Sequence, residues 1–267
     1  MYRGFDIGTD KVPLSERRGI PHHLIDVVEP TDEYTAARYA RDAVAAINDI
    51  LERGRWPIIV GGTGLYYRAL VRGLFPGPGA DVELRTRLQG IAHRRGVEFV
   101  HRMLARVDAA SARRIQPRDL KRMIRALEVF FLTGKPLTDH FAATVSPLAA
   151  YKTISVALSP PTSLIAERVK KRVDAQFEQG LMDEIRGLLA RGVPETARPF
   201  GGLVYRQALE YLHGVRNEAD TRDLIVRENR HYARRQLIWF RKEPNLVWLS
   251  TSGESGETLT AVEALLT

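Results

Sequence analysis

The sequence predicts an α/β fold, a parallel sheet core flanked by helices and interrupted by an all-helical insertion. Three observations lead to it. Residues 35–53 carry Tyr39, Ala43, Ile47, Ile50 and Leu51 at helical spacing, then run into the apolar stretch 57–60 and the turn Gly61-Gly62-Thr63-Gly64, a succession that belongs to parallel sheets. The run Leu74-Phe75-Pro76-Gly77-Pro78-Gly79-Ala80 breaks the pattern, and helical spacing without an obvious strand follows until about Tyr151. Strand character returns in Ile154-Ser155-Val156-Ala157-Leu158, closed by Pro160-Pro161. The core is therefore expected in residues 1–79 and 148–267, and the helical insertion in 80–147.

At 267 residues the chain can bury a full core. An excess of 40 Lys and Arg over 32 Asp and Glu gives a net charge of +8, which favours an anionic partner. The absence of cysteine excludes disulfides, thiolate metal sites and structural zinc fingers, and allows a reducing compartment. The sequence has no apolar run long enough to span a bilayer and no basic-then-apolar leader, so a cytoplasmic protein with no membrane partner is expected.

Taken in order, residues 1–11 are rich in glycine and polar groups and offer neither strand nor helix to start a core; they read as the interior of a longer motif. Residues 22–28 are strand-like and end at Glu29-Pro30. Neighbouring strand residues point to opposite faces, so His22 and His23 are read as packing or hydrogen-bonding residues rather than as ligands of one metal ion. The helix over 35–53 has Thr35 as N-cap and Gly54 as stop. In the turn that follows residues 57–60, Gly61, Gly62 and Gly64 either make a tight connection or cradle an anion, since the first amides of a helix lack internal partners. Thr63 falls at that edge.

In the insertion, a first helix over 81–96 has Leu84, Leu88, Ile91 and Ala92 on one side and Arg85, Arg87, Arg94 and Arg95 elsewhere. A helix from Asp119 repeats Leu120, Ile124, Leu127 and Phe131, with Lys121, Arg122 and Arg125 on the other side. Residues 113–125 hold six Arg or Lys and one Asp, a density suited to phosphate contact, with a solvated surface as the alternative. After 154–158, a long helix places Leu164, Ile165, Val169, Val173 and Phe177 inward, turns at Gly180 and continues to Gly192. Pro199-Phe200-Gly201-Gly202-Leu203-Val204-Tyr205-Arg206-Gln207 is a second glycine turn ahead of a helix. The last long helix, over 221–239, puts Ile225, Tyr232 and Trp239 on one stripe and Arg227, Arg230, Arg234 and Arg241 roughly opposite.

Several of these motifs resemble signatures of one family, the tRNA dimethylallyltransferases, in the family's order. They are Tyr2-Arg3-Gly4-Phe5-Asp6-Ile7-Gly8-Thr9-Asp10-Lys11, Pro21-His22-His23-Leu24-Ile25-Asp26, Val60-Gly61-Gly62-Thr63-Gly64-Leu65-Tyr66, Arg125-Ala126-Leu127-Glu128-Val129, Tyr205-Arg206-Gln207 and Arg234-Arg235-Gln236-Leu237-Ile238-Trp239-Phe240-Arg241. The resemblance implies a P-loop NTPase-like nucleotide-binding core and a helical insertion that grips the tRNA anticodon stem-loop. It implies transfer of the dimethylallyl group of dimethylallyl diphosphate to the exocyclic amine of the adenosine 3′ of the anticodon (position 37), with Mg2+, by a monomer. By position, Thr63, Arg85 and Arg206 resemble catalytic residues, and Gly61, Gly62, Gly64 and Tyr205 resemble residues of the diphosphate channel. Lys121, Arg122, Met123, Ile124, Arg125, Gly201, Gly202, Asn229, Arg230, Arg234, Arg235 and Gln236 resemble tRNA contacts.

The family's phosphate loop, Gly-x-x-x-x-Gly-Lys-Ser/Thr, and the Asp-Ser pair carrying its general base do not occur in this sequence, so an N-terminally truncated core with weak activity is expected. Val204 and Asn229 stand where the family has Gly and Thr. A non-catalytic RNA-binding protein and a small-molecule kinase are the competing readings, and stem-loop binding separates the kinase from the other two.

Overall fold

The computed structural model describes residues 1–266. The chain divides into two compact units, Met1–Tyr67 with Tyr151–Thr267, and Arg68–Ala150. The second unit is longer than the expected insertion because the Pro/Gly run belongs to it: Phe75 packs on its core and the Pro78 carbonyl accepts from Arg125 Nη2 at 2.9 Å.

The N-terminal residues enter the first unit's core after all. Phe5 is buried and meets Phe200 and Tyr205 edge-on, each at 4.9 Å between ring centroids. Lys11 is nearly buried and pairs with the carboxylates of Asp6 and Asp26. The expected strand over 22–28 shrinks to a single parallel bridge between Tyr2 and Val28, because Leu24 (φ 61°) and Asp26 (φ 53°) stand in the left-handed region. Helix α1 (Ala36–Glu52) starts as expected, the Thr35 side chain accepting the Arg38 N–H, and buries Ala36, Ala40, Ala43 and Ile47. Tyr39 stacks on Tyr66 at 4.4 Å.

Residues 57–60 do not form the expected strand. No described segment pairs with them, and a strand exists only where a neighbour takes its backbone groups. Their side chains stand in solvent, Ile58 at 84% and Val60 at 90% exposure. Helix α2 (Gly64–Val71) follows.

The second unit is all-helical: α3 (Val82–Arg95), α4 (Val97–Val107), α5 (Ala109–Arg114), α6 (Leu120–Thr133) and α7 (Leu137–Ala142). Asp81, Asp108 and Asp119 cap α3, α5 and α6, accepting the N–H groups of Leu84, Ser111 and Arg122. Asp108 also accepts the Thr138 N–H and hydroxyl at 3.0 and 2.7 Å, so one carboxylate organises the starts of α5 and α7. The core joins Leu88, Val100, Leu104, Met123, Leu127 and Val129. Phe131, expected on the packed stripe, lies in the last turn of α6 and is half exposed.

The first unit resumes with β1 (Ser155–Leu158), α8 (Thr162–Glu178) and α9 (Leu181–Ala190). A 3-10 turn (Arg198–Gly201) leads to α10 (Tyr205–Leu212), α11 (Glu218–Phe240), β2 (Leu246–Leu249) and α12 (Gly256–Glu263). The parallel sheet among the described residues has two strands, β1 and β2, in register Ser155 to Leu246 through Leu158 to Leu249. The hydrophobic core gathers Val173, Leu181, Ile185, Leu188, Phe200, Ala208 and Ile225 around Phe5. Along α11 only the first half packs inward, at Thr221 and Ile225; Tyr232, placed on the same stripe by the sequence, is exposed.

The exposure of residues 58 and 60 sets a prediction. Ile58→Ser with Val60→Thr should change the unfolding free energy by no more than about 0.5 kcal/mol and reduce self-association in light scattering. A loss above about 2 kcal/mol would show that these side chains are packed.

Candidate nucleic-acid interface

The glycine turn at 61–64 rests on α11. Gln236 Nε2 donates to the Gly62 carbonyl at 2.8 Å. Gly64 lies so close to Trp239 that any Cβ there would overlap the indole ring, whereas a Cβ on Gly61 would meet nothing. Tyr67 adds edge-on contacts to Trp239 and Phe240 at 6.5 and 5.4 Å. Thr63 is exposed and its carbonyl accepts the N–H groups of Tyr66 and Tyr67, which places it at the start of α2. Gly64 is thus required by close packing on the indole, a Cβ on Gly62 would overlap Gln236 Nε2, and the amide of Gln236 is committed to holding the turn.

The same helix carries the basic face. Near its start Arg222 pairs with Asp174 and Glu218 and covers the Phe177 ring at 4.1 Å. From Arg227 onward the pairing stops: Arg227, Arg230 and Arg234 are exposed, and no described carboxylate forms an ion pair with any of them. Arg235 lies over Tyr232 at 5.8 Å. Asn229 donates its amide to the Ile225 carbonyl at 2.9 Å, a bond within the helix.

At the second glycine turn Gly201, Gly202 and Arg206 are exposed. Val204 holds φ 75° and ψ −62°, a strained conformation suited to glycine. Tyr205 is buried, against the expectation that it faces a channel. Its hydroxyl donates to Glu184 at 2.6 Å and accepts the Gly8 N–H at 3.1 Å, while Glu184 also accepts the amides of Asp6 and Ile7 at 2.8 and 2.7 Å. Burial and the Glu184 hydrogen bond push the phenol pKa up, so Tyr205 stays protonated. It is a core residue that seats Arg206 on the surface.

In the second unit Lys121 and Arg122 are exposed, Arg122 within 3.4 Å of the Asp119 carboxylate. The side chains of Met123 and Ile124 are buried and face the core, a correction to their reading as contacts: on a helix, residues three and four after Leu120 fall on its packed side. Arg85 and Arg125 converge on Glu128, which the sequence reading passed over. Glu128 is completely buried. It accepts Arg85 Nε and Nη2 at 2.7 and 2.9 Å, Arg125 Nη1 at 2.6 Å and the Asp81 N–H at 2.8 Å. The available signal was a charged residue inside the apolar run Ala126-Leu127-Glu128-Val129, three residues after an arginine. Burial alone would raise its pKa; the hydrogen bonds from Arg85, Arg125 and Asp81 more than reverse that and hold it at about 2. Among the described residues no group of three or more His, Asp or Glu comes together to hold a metal.

Two predictions follow from this geometry. Gly64→Ala should cost about 1–3 kcal/mol by overpacking, while Gly61→Ala costs no more than about 0.5 kcal/mol, both read by denaturant unfolding. The Glu128 carboxyl is depressed from 4.5 to about 2, so its stabilisation is full above pH 4.5 and is lost as pH falls toward 2. Glu128→Gln should therefore flatten the acid limb of the stability curve in that window by on the order of 3 kcal/mol; superimposable acid limbs would refute the pairing.

A family model described as IPP transferase matches residues 1–243. The chain is 46% identical over 257 residues to a tRNA dimethylallyltransferase of Solibacter usitatus, covering 96% of this chain and 83% of that protein. It is 41% identical over 262 residues to the one of Geobacter metallireducens, covering 98% and 85%. Among solved structures it is similar to a tRNA isopentenylpyrophosphate transferase from Bacillus halodurans, with TM-score 0.70, 33% identity, and 99% and 83% of the two chains covered. It is also similar to a eukaryotic dimethylallyltransferase acting on tRNA, with TM-score 0.74, 25% identity, and 97% and 67% covered. The α/β organisation with a small parallel sheet, the ordered motifs and these likenesses agree: the chain belongs to the IPP transferase family, the tRNA dimethylallyltransferases.

Proposed function

We propose that this chain transfers the dimethylallyl group of dimethylallyl diphosphate to the exocyclic amine of adenosine 37, just 3′ of the anticodon of tRNA. The observation that carries the reading is α11, a single helix that holds the glycine turn at Gly62 and Gly64 and presents Arg227, Arg230 and Arg234 without carboxylate partners. Phosphates are the natural partners of such arginines. As the amine nitrogen bonds to carbon and the carbon–oxygen bond breaks, negative charge collects on the departing diphosphate, and preorganised donors stabilise it. Thr63 at the start of α2 and Arg206 in the first turn of α10 are the candidates in this unit, with Arg85 assigned to the same chemistry by its position in the family motif. A base that is to be alkylated must leave its stack, and phosphate contacts hold the stem while it does. The reading includes a P-loop-like core, Mg2+ with the diphosphate, and a cytoplasmic monomer. No described helix is long and apolar enough to cross a membrane.

A second reading, tRNA binding without transfer, is favoured by the exposed arginines of α11, Arg227, Arg230 and Arg234, which need no catalytic group to hold phosphate. Incubating the purified chain with labelled dimethylallyl diphosphate and tRNA separates the two. Label in adenosine 37 supports the first reading, tight tRNA binding without label supports the second, and failure to bind an anticodon stem-loop overturns both. Arg122→Ala and Arg230→Ala should each weaken tRNA binding and lower the slope of log Kd against log salt by about one unit. Unchanged slopes would show these faces to be merely solvated.

A further inference from the structure

The Arg85–Glu128–Arg125 cluster goes beyond the roles assigned to either arginine. Glu128 has no solvent contact and receives four hydrogen bonds, three of them from guanidinium groups. The two arginine side chains are themselves 38% and 34% exposed, so each bridges the interior and the surface. Arg85 spends Nε and Nη2 on the carboxylate, and Arg125 spends Nη1 on it and Nη2 on the Pro78 carbonyl. A guanidinium has five N–H donors; with two used, each keeps three for an external partner.

Stability alone does not require an ion cluster at this place. Replacing a buried ion cluster by apolar residues of similar volume is commonly neutral or stabilising, and α3 and α6 already pack through Leu88, Ala92, Met123 and Leu127. What an apolar replacement cannot do is fix two guanidinium planes side by side. A free arginine on a surface loses rotamer entropy when it grips a phosphate, whereas these two have lost it in advance. The cluster carries a net charge of +1, and Lys121 and Arg122 stand exposed in the first turn of the same helix as Arg125.

We propose that Glu128 is a positioning residue that holds Arg85 and Arg125 as a preset pair of guanidinium donors for the phosphate backbone of bound tRNA. This inference rests on the tRNA reading above. It makes a prediction of unusual sign, because removing a negative charge from a basic face should by long-range electrostatics tighten binding to RNA, while losing the positioning should weaken it.

The test measures anticodon stem-loop affinity against salt for the wild type, Glu128→Gln and Glu128→Asp, with folding checked by circular dichroism. Glu128→Gln is expected to bind about 5–10-fold more weakly near 0.15 M salt, with a salt slope smaller by about one unit, and Glu128→Asp should recover part of the loss. Arg125→Lys, which keeps the charge and removes the fork, decides the matter if Glu128→Gln does not fold: several-fold weaker binding supports the proposal, and wild-type affinity overturns it. Binding by Glu128→Gln that equals or exceeds the wild type overturns the proposal alone. A wild type that binds no stem-loop overturns the tRNA reading and this inference together.

Discussion

A carboxylate taken out of water must have donors in place of the water, and in the second unit that requirement falls on Glu128. Everything near it is arranged to meet it. The Asp81 amide starts α3 from the Glu128 oxygen while the Asp81 side chain caps the same helix at Leu84. Arg85, one turn further on, closes the fork, and Arg125 ties the carboxylate to the Pro78 carbonyl. The break at 74–80, read in the sequence as a boundary, is thereby anchored to the middle of α6. Glu184 does the same work in the first unit, where the amides of Asp6 and Ile7 and the phenol of Tyr205 converge on it. A segment with no regular structure is fixed against α9 and α10 by one side chain. Gly8 is glycine because the Tyr205 ring occupies the space a Cβ would need, 2.5 Å away.

The second organising constraint is the division of labour along α11. Its first half is conventional: Thr221 and Ile225 are buried, and Arg222 is neutralised by Asp174 and Glu218. Its second half exchanges burial for function, with unpaired arginines on one side and Gln236 and Trp239 supporting the glycine turn on another. The expected stripe of Ile225, Tyr232 and Trp239 is broken at Tyr232, which is exposed, while Trp239 packs on the glycine turn.

Helices were legible in the sequence where local chemistry decides them. Thr35 caps the helix it was expected to cap, the helices expected to begin at Asp81 and Asp119 begin there with each carboxylate as N-cap, and Gly54 and Gly180 end or turn helices with positive φ. Strands were not, because pairing is a non-local property. Residues 57–60 and 154–158 are similar apolar runs, yet only the second has a neighbour, β2, and the left-handed residues Leu24 and Asp26 interrupt a third run that looked equally strand-like. The site was legible as residue types and not as roles. Charge density pointed to residues 113–125, whereas Met123 and Ile124 joined Lys121 only by their place in the family motif; their apolar side chains and helical phase both put them inward. Glu128 escaped because an i, i+3 pair with Arg125 reads as an ordinary solvated contact.

Ion pairing sorts the arginines more sharply than position does. An exposed pair such as Arg53 with Asp49 or Arg186 with Asp183 contributes little to stability, but the carboxylate beside it largely cancels that arginine's long-range attraction for an external anion. Arg227, Arg230 and Arg234 escape that compensation, so the positive field is concentrated where the helix leaves the core. The Glu128 cluster is intermediate: its carboxylate removes one charge of two, and in exchange fixes direction. In water, a loosely held charge attracts phosphate from any side, whereas a guanidinium fork fixed in a plane prefers an oxygen pair in that plane. Under the proposed function the basic face of α11 suits steering of a polyanion, and the paired arginines of α3 and α6 suit a contact that needs a fixed direction.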